Sequence, residues 1–226
     1  MQFKKFNHIE MPKVPPLTRI DGGQFRVYET LEGKRYPSVT SILGAIPHPE
    51  LDAWKARVGE VEAKRISLQA TTRGSKIHAL AEACLENRLV TTAGNFDPMT
   101  LNEFIALKNV LEERVDNIRG VELQLYSDRL RAAGTMDLLG DLDGVLTVID
   151  HKTSKRRKTV AEIEGYFIQL TSYAMMCYER TGIVVKDIAV FMLVDGGECL
   201  IFKQKVADHM KKVFEVRKLF QEKNGI

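Results

Sequence analysis

The sequence predicts an α/β (α+β) domain, a sheet with helices packed on it. Three observations carry that expectation. A pair of apolar strands, Ala133–Leu142 and Val145–Ser154, is joined by Asp143-Gly144, a dipeptide that suits a tight type I′ turn. Long stretches on either side carry apolar residues at helical spacing. Two further alternating strands and an amphipathic helix close the chain, giving the order helices, strands, long helix, strands, helix.

The elements follow in order. Residues 1–23, with Pro12, Pro15, Pro16 and Gly22-Gly23, read as an extended leader without a core. Phe25 to Tyr36 reads as a small hairpin that turns at Glu32-Gly33. Pro37 ends it, and Ser38 or Thr40 is placed to cap a short helix carrying Val39, Ile42 and Leu43. After a loop with Pro47 and Pro49, one helix is expected from Glu50 to Ala70 and a second from Arg73 to Asn87, striped by Ile77, Leu80, Ala81, Cys84 and Leu85. A third, Thr100 to Ile118, has Leu101, Phe104, Leu107, Val110 and Leu111 on one face. Val121 to Tyr126 alternates as a strand before the central hairpin. A helix from Val160 to Arg180 follows, with Gly182 as its C-cap. Strands Ile188–Val194 and Cys199–Lys205 join at Asp195-Gly196-Gly197, and a basic helix runs from Val206 to Lys223.

The hairpin is where chemistry concentrates. A two-residue turn sets Leu142 against Val145, Leu139 against Val148 and Leu138 against Ile149, and so places Asp137 opposite Asp150. Lys152 shares the face of Asp150. Opposed residues in a sheet lie about 5 Å apart, where like charges destabilise. Apolar surroundings raise that cost, and a divalent cation between the carboxylates removes it. Upstream, Gly74 and His78 stand four apart. A lone helical histidine is more often a packing residue, whereas Gly74 permits close approach of a phosphate or a neighbouring backbone. Glu122 reads equally well as an exposed edge residue. Lys152, Lys155, Arg156, Arg157 and Lys158 follow the hairpin without an acidic neighbour, which suits phosphate contacts.

Composition narrows the classes. The 226 residues are 44% hydrophobic and 28% charged, and fit one large domain. The division expected is an extended leader and small hairpin over 1–35, then a single domain over 36–226, with a helical cover region over about 44–118 and the sheet with its helices over about 119–226. A net charge of +3 leaves nucleic-acid affinity to local patches. Cys84, Cys177 and Cys199 are scattered, without a C-x-x-C pair, as suits reduced thiols. No apolar run reaches the roughly 18 residues needed to span a bilayer, and the N-terminus lacks a secretory core. A cytoplasmic protein, without a membrane partner, is expected (host cytoplasm if phage-encoded).

Asp137, then Asp150-His151-Lys152 across a hairpin, resembles the active-site signature of the PD-(D/E)XK nuclease superfamily. Gly74-x-x-x-His78 before it, Thr153-Ser154 directly after it and Gln169-x-x-x-Tyr173 beyond make the pattern similar to the RecB-like exonuclease branch. Within that branch it is most similar to the mitochondrial genome maintenance exonuclease group and its phage and bacterial relatives. Tyr36 to Thr40, Trp54-Lys55, Arg73 and the Glu122 strand extend the likeness over residues 36 to 180.

The resemblance implies a restriction-endonuclease-like mixed central sheet flanked by helices, with a helical N-terminal part. It implies one or two Mg²⁺ or Mn²⁺ ions on His78, Asp137, Asp150 and the main-chain carbonyl of His151. Lys152 would position the attacking water, Gln169 and Tyr173 would support the site, and Glu122 would lie near it. Ser38, Thr40, Arg73, Thr153, Ser154, Lys155, Arg156, Arg157 and Lys158 would contact DNA. No iron–sulfur cluster is expected, since the cysteines cannot supply four ligands. The function implied is a metal-dependent DNA exonuclease preferring single-stranded or open ends, in replication, recombination or repair. It could work with a recombinase, annealing or single-strand-binding protein. The alternatives are a double-strand-end exonuclease of a phage-type recombination system, a non-cleaving nucleic-acid-binding module, and a sheet protein with a structural cation site.

Overall fold

The computed structural model describes residues 4–88 and 96–226. A three-stranded antiparallel sheet comes first, β1 (Thr18–Ile20), β2 (Val27–Glu29) and β3 (Arg35–Pro37). Then come α1 (Val39–Leu43), α2 (Pro49–Val58), α3 (Glu60–Leu85) and α4 (Pro98–Arg114). The main sheet has the order β4 (Val115–Ser127), β5 (Ala132–Leu142), β6 (Val145–Ser154), β7 (Asp187–Val194), β8 (Glu198–Lys205). Among the described strands of this sheet only β6 and β7 pair in parallel, so they need a crossover, which α5 (Glu164–Thr181) provides after a short 3₁₀ turn. Helix α6 (Val206–Asn224) ends the chain. This is the mixed α/β sheet flanked by helices that the sequence predicts.

Each face of the sheet has its own core. Val148, Val190 and Met192 meet Phe167 and Leu170 of α5, with α1 and α6 beside them. On the other face Leu138, Ile149 and Phe191 meet Ile77 and Leu80 of α3 and Leu107 and Leu111 of α4. Fully burying each such side chain contributes about 1.5–3 kcal/mol. Strands β5 and β6 are therefore covered on both sides, as their continuous apolar runs require.

The hairpin turn has Asp143 at φ 52° and Gly144 at φ 79°, the positive pair of a type I′ turn. Its register pairs Leu142 with Val145, Leu139 with Val148 and Leu138 with Ile149. There the β5–β6 ladder stops. Asp137 and Asp150 are not a ladder pair; beyond Leu138 and Ile149, β6 stays beside β7 to Ser154 and β5 beside β4.

Several elements differ from expectation. The leader has a core contact after all: Phe6 is buried against α3 and α4, and Leu17 beneath Tyr28 and Tyr36. Its residues 1–3 lie outside the described residues. The helical break falls at Gly59, with φ 84°, rather than at Thr71-Thr72. Thr71 stays helical, its hydroxyl donating to the carbonyl of Ser67 at 2.9 Å. Strand β4 begins at Val115, and the third predicted helix therefore ends at Arg114. Leu101, placed on the buried stripe, is 40% exposed.

Candidate metal centre and nuclease site

The fork where β5 leaves β6 frees the main-chain groups of His151. Its N–H donates to Asp137 Oδ2 at 2.9 Å, and its carbonyl lies 2.8 Å from His78 Nε2. Helix α3 delivers His78, whose Nδ1 is 3.4 Å from Asp137 Oδ2 and 3.7 Å from Glu122 Oε1. The His151 Nδ1 lies 3.9 Å from the same Asp137 oxygen. Ligand atoms of His78, Asp137 and His151 all fall within 4.8 Å of one another. Asp150, 1% exposed, stands beside this trio. Its Oδ1 accepts from Gln169 Nε2 at 3.0 Å, and its Oδ2 is ion-paired to Lys152.

The electrostatics are those of a site short of positive charge. Burial raises the pKa of Asp137, against the pull of His78 and Lys152. Burial likewise raises Asp150, against Lys152. Burial opposes a charged His78, yet Asp137, Glu122 and Asp150 together push it up to about 9. For His151, burial and the neighbouring His78 bring the ring down to about 3, so it is neutral and able to donate a lone pair. Lys152 is raised, its own desolvation outweighed by Asp150 and Asp137. The clustered ligand atoms of His78, Asp137 and His151 fit a divalent cation, with the Asp150 carboxylate outside that cluster and held by Lys152 and Gln169.

Supporting residues come from several elements. Tyr173 is buried, its ring lying against Gly134, where a Cβ would come within 2.8 Å of Cε1 and 2.9 Å of Oη. Burial lifts its phenol well above the usual range, with Asp137 and Asp150 adding to the rise. Glu122 holds φ 47°, a left-handed value uncommon for a residue with a Cβ.

A sequence profile of the PD-(D/E)XK nuclease superfamily matches residues 52–216. The chain belongs to that superfamily. Mitochondrial genome maintenance exonuclease 1 of mouse is 27% identical over 136 residues, which are 57% of this chain and 40% of that protein. The chain thus spans less than half the length of this relative. A crystal structure from Eubacterium rectale, described as a candidate exonuclease, is 13% identical with a TM-score of 0.46, covering 69% of this chain and 68% of that one.

Superfamily membership implies interaction with nucleic acid, so the residues expected to contact DNA are of interest. Ser38 is buried and caps α1: its Oγ accepts from the Ser41 N–H at 3.0 Å and lies 3.0 Å from Thr40 Oγ1. Arg73 is engaged by Glu103 on α4 at 2.8 Å and by Asp195 in the β7–β8 turn at 2.5 Å. The Ser154 hydroxyl donates to the Arg156 carbonyl at 2.7 Å. Arg156 and Arg157 pair with Glu162 and Glu198, each at 2.5 Å, and both stay exposed. Lys155 is exposed, Lys158 and Thr153 partly so, and Thr153 Oγ1 lies 3.9 Å from where a Gly74 Cβ would be. That is ordinary contact, so the approach of α3 to β6 does not require a glycine at 74. The basic run is surface; Ser38 and Arg73 are taken up by internal bonds.

Sequence reasoning assigned His151 only its carbonyl and overlooked its ring. The available signal was a histidine at a position alternating into the core, where an aliphatic residue would pack at lower cost. The Arg73–Glu103–Asp195 contact joins three distant segments and had no local signal. No helix among the described residues is long and apolar enough to cross a membrane.

Proposed function

We propose that this chain is a metal-dependent DNA exonuclease of the RecB-like branch, acting on single-stranded or open ends. The observation that carries the reading is the convergence of Asp137, Asp150, Lys152, His78 and the His151 carbonyl at the end of one buried strand pair. Residues 36–226 would form the nuclease unit, with 4–35 packed on it through Phe6 and Leu17.

His78, Asp137, Asp150 and the His151 carbonyl would hold Mg²⁺ or Mn²⁺, which when bound supplies Lewis acidity and counter-charge to the phosphoryl group. The chain's own residues do the rest. Asp150 is kept in one orientation by the Gln169 amide. Lys152, on the same strand face two residues on, donates to the attacking water and to a non-bridging phosphate oxygen. Gln169 is fixed in turn by Tyr173, whose buried phenol oxygen accepts from its amide. Lys155, Arg156, Arg157 and Lys158 give sequence-independent attraction for flanking phosphates. Arg156 and Arg157 can exchange their exposed partners for phosphate at little cost, since exposed ion pairs are weak.

The test is degradation of end-labelled linear and circular single-stranded DNA with Mn²⁺ or Mg²⁺. Linear DNA should be consumed and circular DNA spared. Lys152→Ala should lower turnover by about 10²–10³-fold while leaving the far-ultraviolet spectrum unchanged. Undiminished cleavage by Lys152→Ala and Asp150→Asn would remove the proposal. Blunt duplex run in parallel detects a preference for double-strand ends.

A further inference from the structure

The side chain that faces Lys152 from α5 is none of those given a role above. Lys152 Nζ lies over the Tyr166 ring, 5.1 Å from its centroid, and Lys158 Nζ lies 5.9 Å from the same centroid. Both are within the roughly 6 Å at which an ammonium is attracted to an aromatic face. Tyr166 stands three residues before Gln169, hence on the same side of the helix. One rigid element thus presents an amide to Asp150 and a ring to Lys152.

The Tyr166 ring packs in part against the core on the α5 face of the sheet. It is only half-buried, and no hydrogen bond to its hydroxyl is found among the described residues. Its neighbour Gly165 borders open space, with nothing within 4 Å of where a Cβ would be. The ring is thus partly exposed and stands beside Lys152.

Lys152 has a flexible four-carbon stem and a point charge, so its direction must be set by its surroundings. Here Asp150 holds it on one count and Tyr166 on the other. A carboxylate that turns toward a divalent cation loosens its hold on the ammonium. The ring is then the contact that remains. We infer that Tyr166 is a positioning residue, which keeps the Lys152 ammonium aimed at the reacting phosphate once Asp150 is engaged by metal. This rests on the nuclease reading given above.

The test compares Tyr166→Leu, which removes the ring, with Tyr166→Phe and Tyr166→Trp, which keep one. Tyr166→Leu should lower kcat by about ten- to a hundredfold with KM within about twofold, and the aromatic variants should restore most of kcat. In a Lys152→Ala background, single-turnover rates should show no further loss from Tyr166→Leu. Independently of activity, the Lys152 Cε protons of the metal-free protein should be shifted upfield by ring current in wild type and Tyr166→Phe, and not in Tyr166→Leu. An unchanged kcat in Tyr166→Leu, a loss confined to KM, or a full additional loss in the Lys152→Ala background overturns the inference. A wild type that cuts DNA but lacks the ring-current shift overturns it alone. A wild type that shows the shift but cuts nothing overturns the nuclease reading and the inference with it.

Discussion

The two ends of the central hairpin carry the same residue type in opposite conditions. At the turn, Asp143 is exposed and met by Arg114, its Oδ1 2.9 Å from Arg114 Nε, and by Lys203. Those partners hold its carboxyl well below the usual range. At the open end Asp137 and Asp150 are buried, and burial pushes both up despite His78 and Lys152 nearby. Solvent and two cations answer the charge at one end. At the other, the protein spends stability to keep negative charge waiting.

The largest test of that contrast is the response to metal. Mn²⁺ at about a hundred times its Kd should stabilise the wild type by about 2.7 kcal/mol, read as a rise in melting temperature. Asp150→Asn should lose most of that rise, yet unfold no earlier than wild type without metal. A metal-free Asp150→Asn that is clearly less stable would mean that the carboxylate serves the fold.

A second test acts through shape. Gly134→Ala puts a methyl into the Tyr173 ring, and overpacking of this kind costs about 1–3 kcal/mol. Chemical denaturation should show the loss, and turnover should fall with it because Tyr173 supports Gln169. Pairing it with Tyr173→Phe should not restore stability, since the clash includes ring carbon as well as the hydroxyl.

The third uses pH. His78 is raised from 6.5 to about 9, so its charged form favours the folded state. That contribution is complete below pH 6.5 and disappears as pH climbs through 9. Metal-free protein should therefore lose urea resistance between pH 6.5 and 9, and His78→Gln should flatten the curve. Asp143 runs the other way: its depressed carboxyl contributes above the ordinary value of 3.8 and loses that contribution as pH falls below it.

The smallest effect belongs to the turn. Asp143→Ala should cost no more than about 1 kcal/mol, because its partners are exposed and screened, and should leave metal-induced stabilisation intact.

The strand pair was legible because its turn is local. Asp143-Gly144 names its own backbone conformation, and the register follows by counting. The extent of that register was not legible: the β5–β6 ladder ends at Leu138 and Ile149 while each strand stays paired along its other edge, which no local pattern expresses. Gly59 outranked Thr71-Thr72 as a helix break because β-branched residues are tolerated within a helix that packing stabilises, while a left-handed φ is not. Phe6 escaped because prolines obscured a single buried aromatic in an otherwise irregular segment. Around the candidate site, the hairpin residues came from short-range spacing and His78 from the family resemblance, whereas the ring of His151 and the capture of Arg73 depend on contacts between separate layers.

The fork has one more consequence. Two of the contacts it creates use the peptide unit of the chain, not a side chain: the His151 N–H toward Asp137 and the His151 carbonyl toward His78. No codon change at 151 deletes either group, short of proline for the first. That part of the centre is heritable only through the path of the strand, so it drifts when the sheet drifts and is otherwise beyond the reach of point mutation.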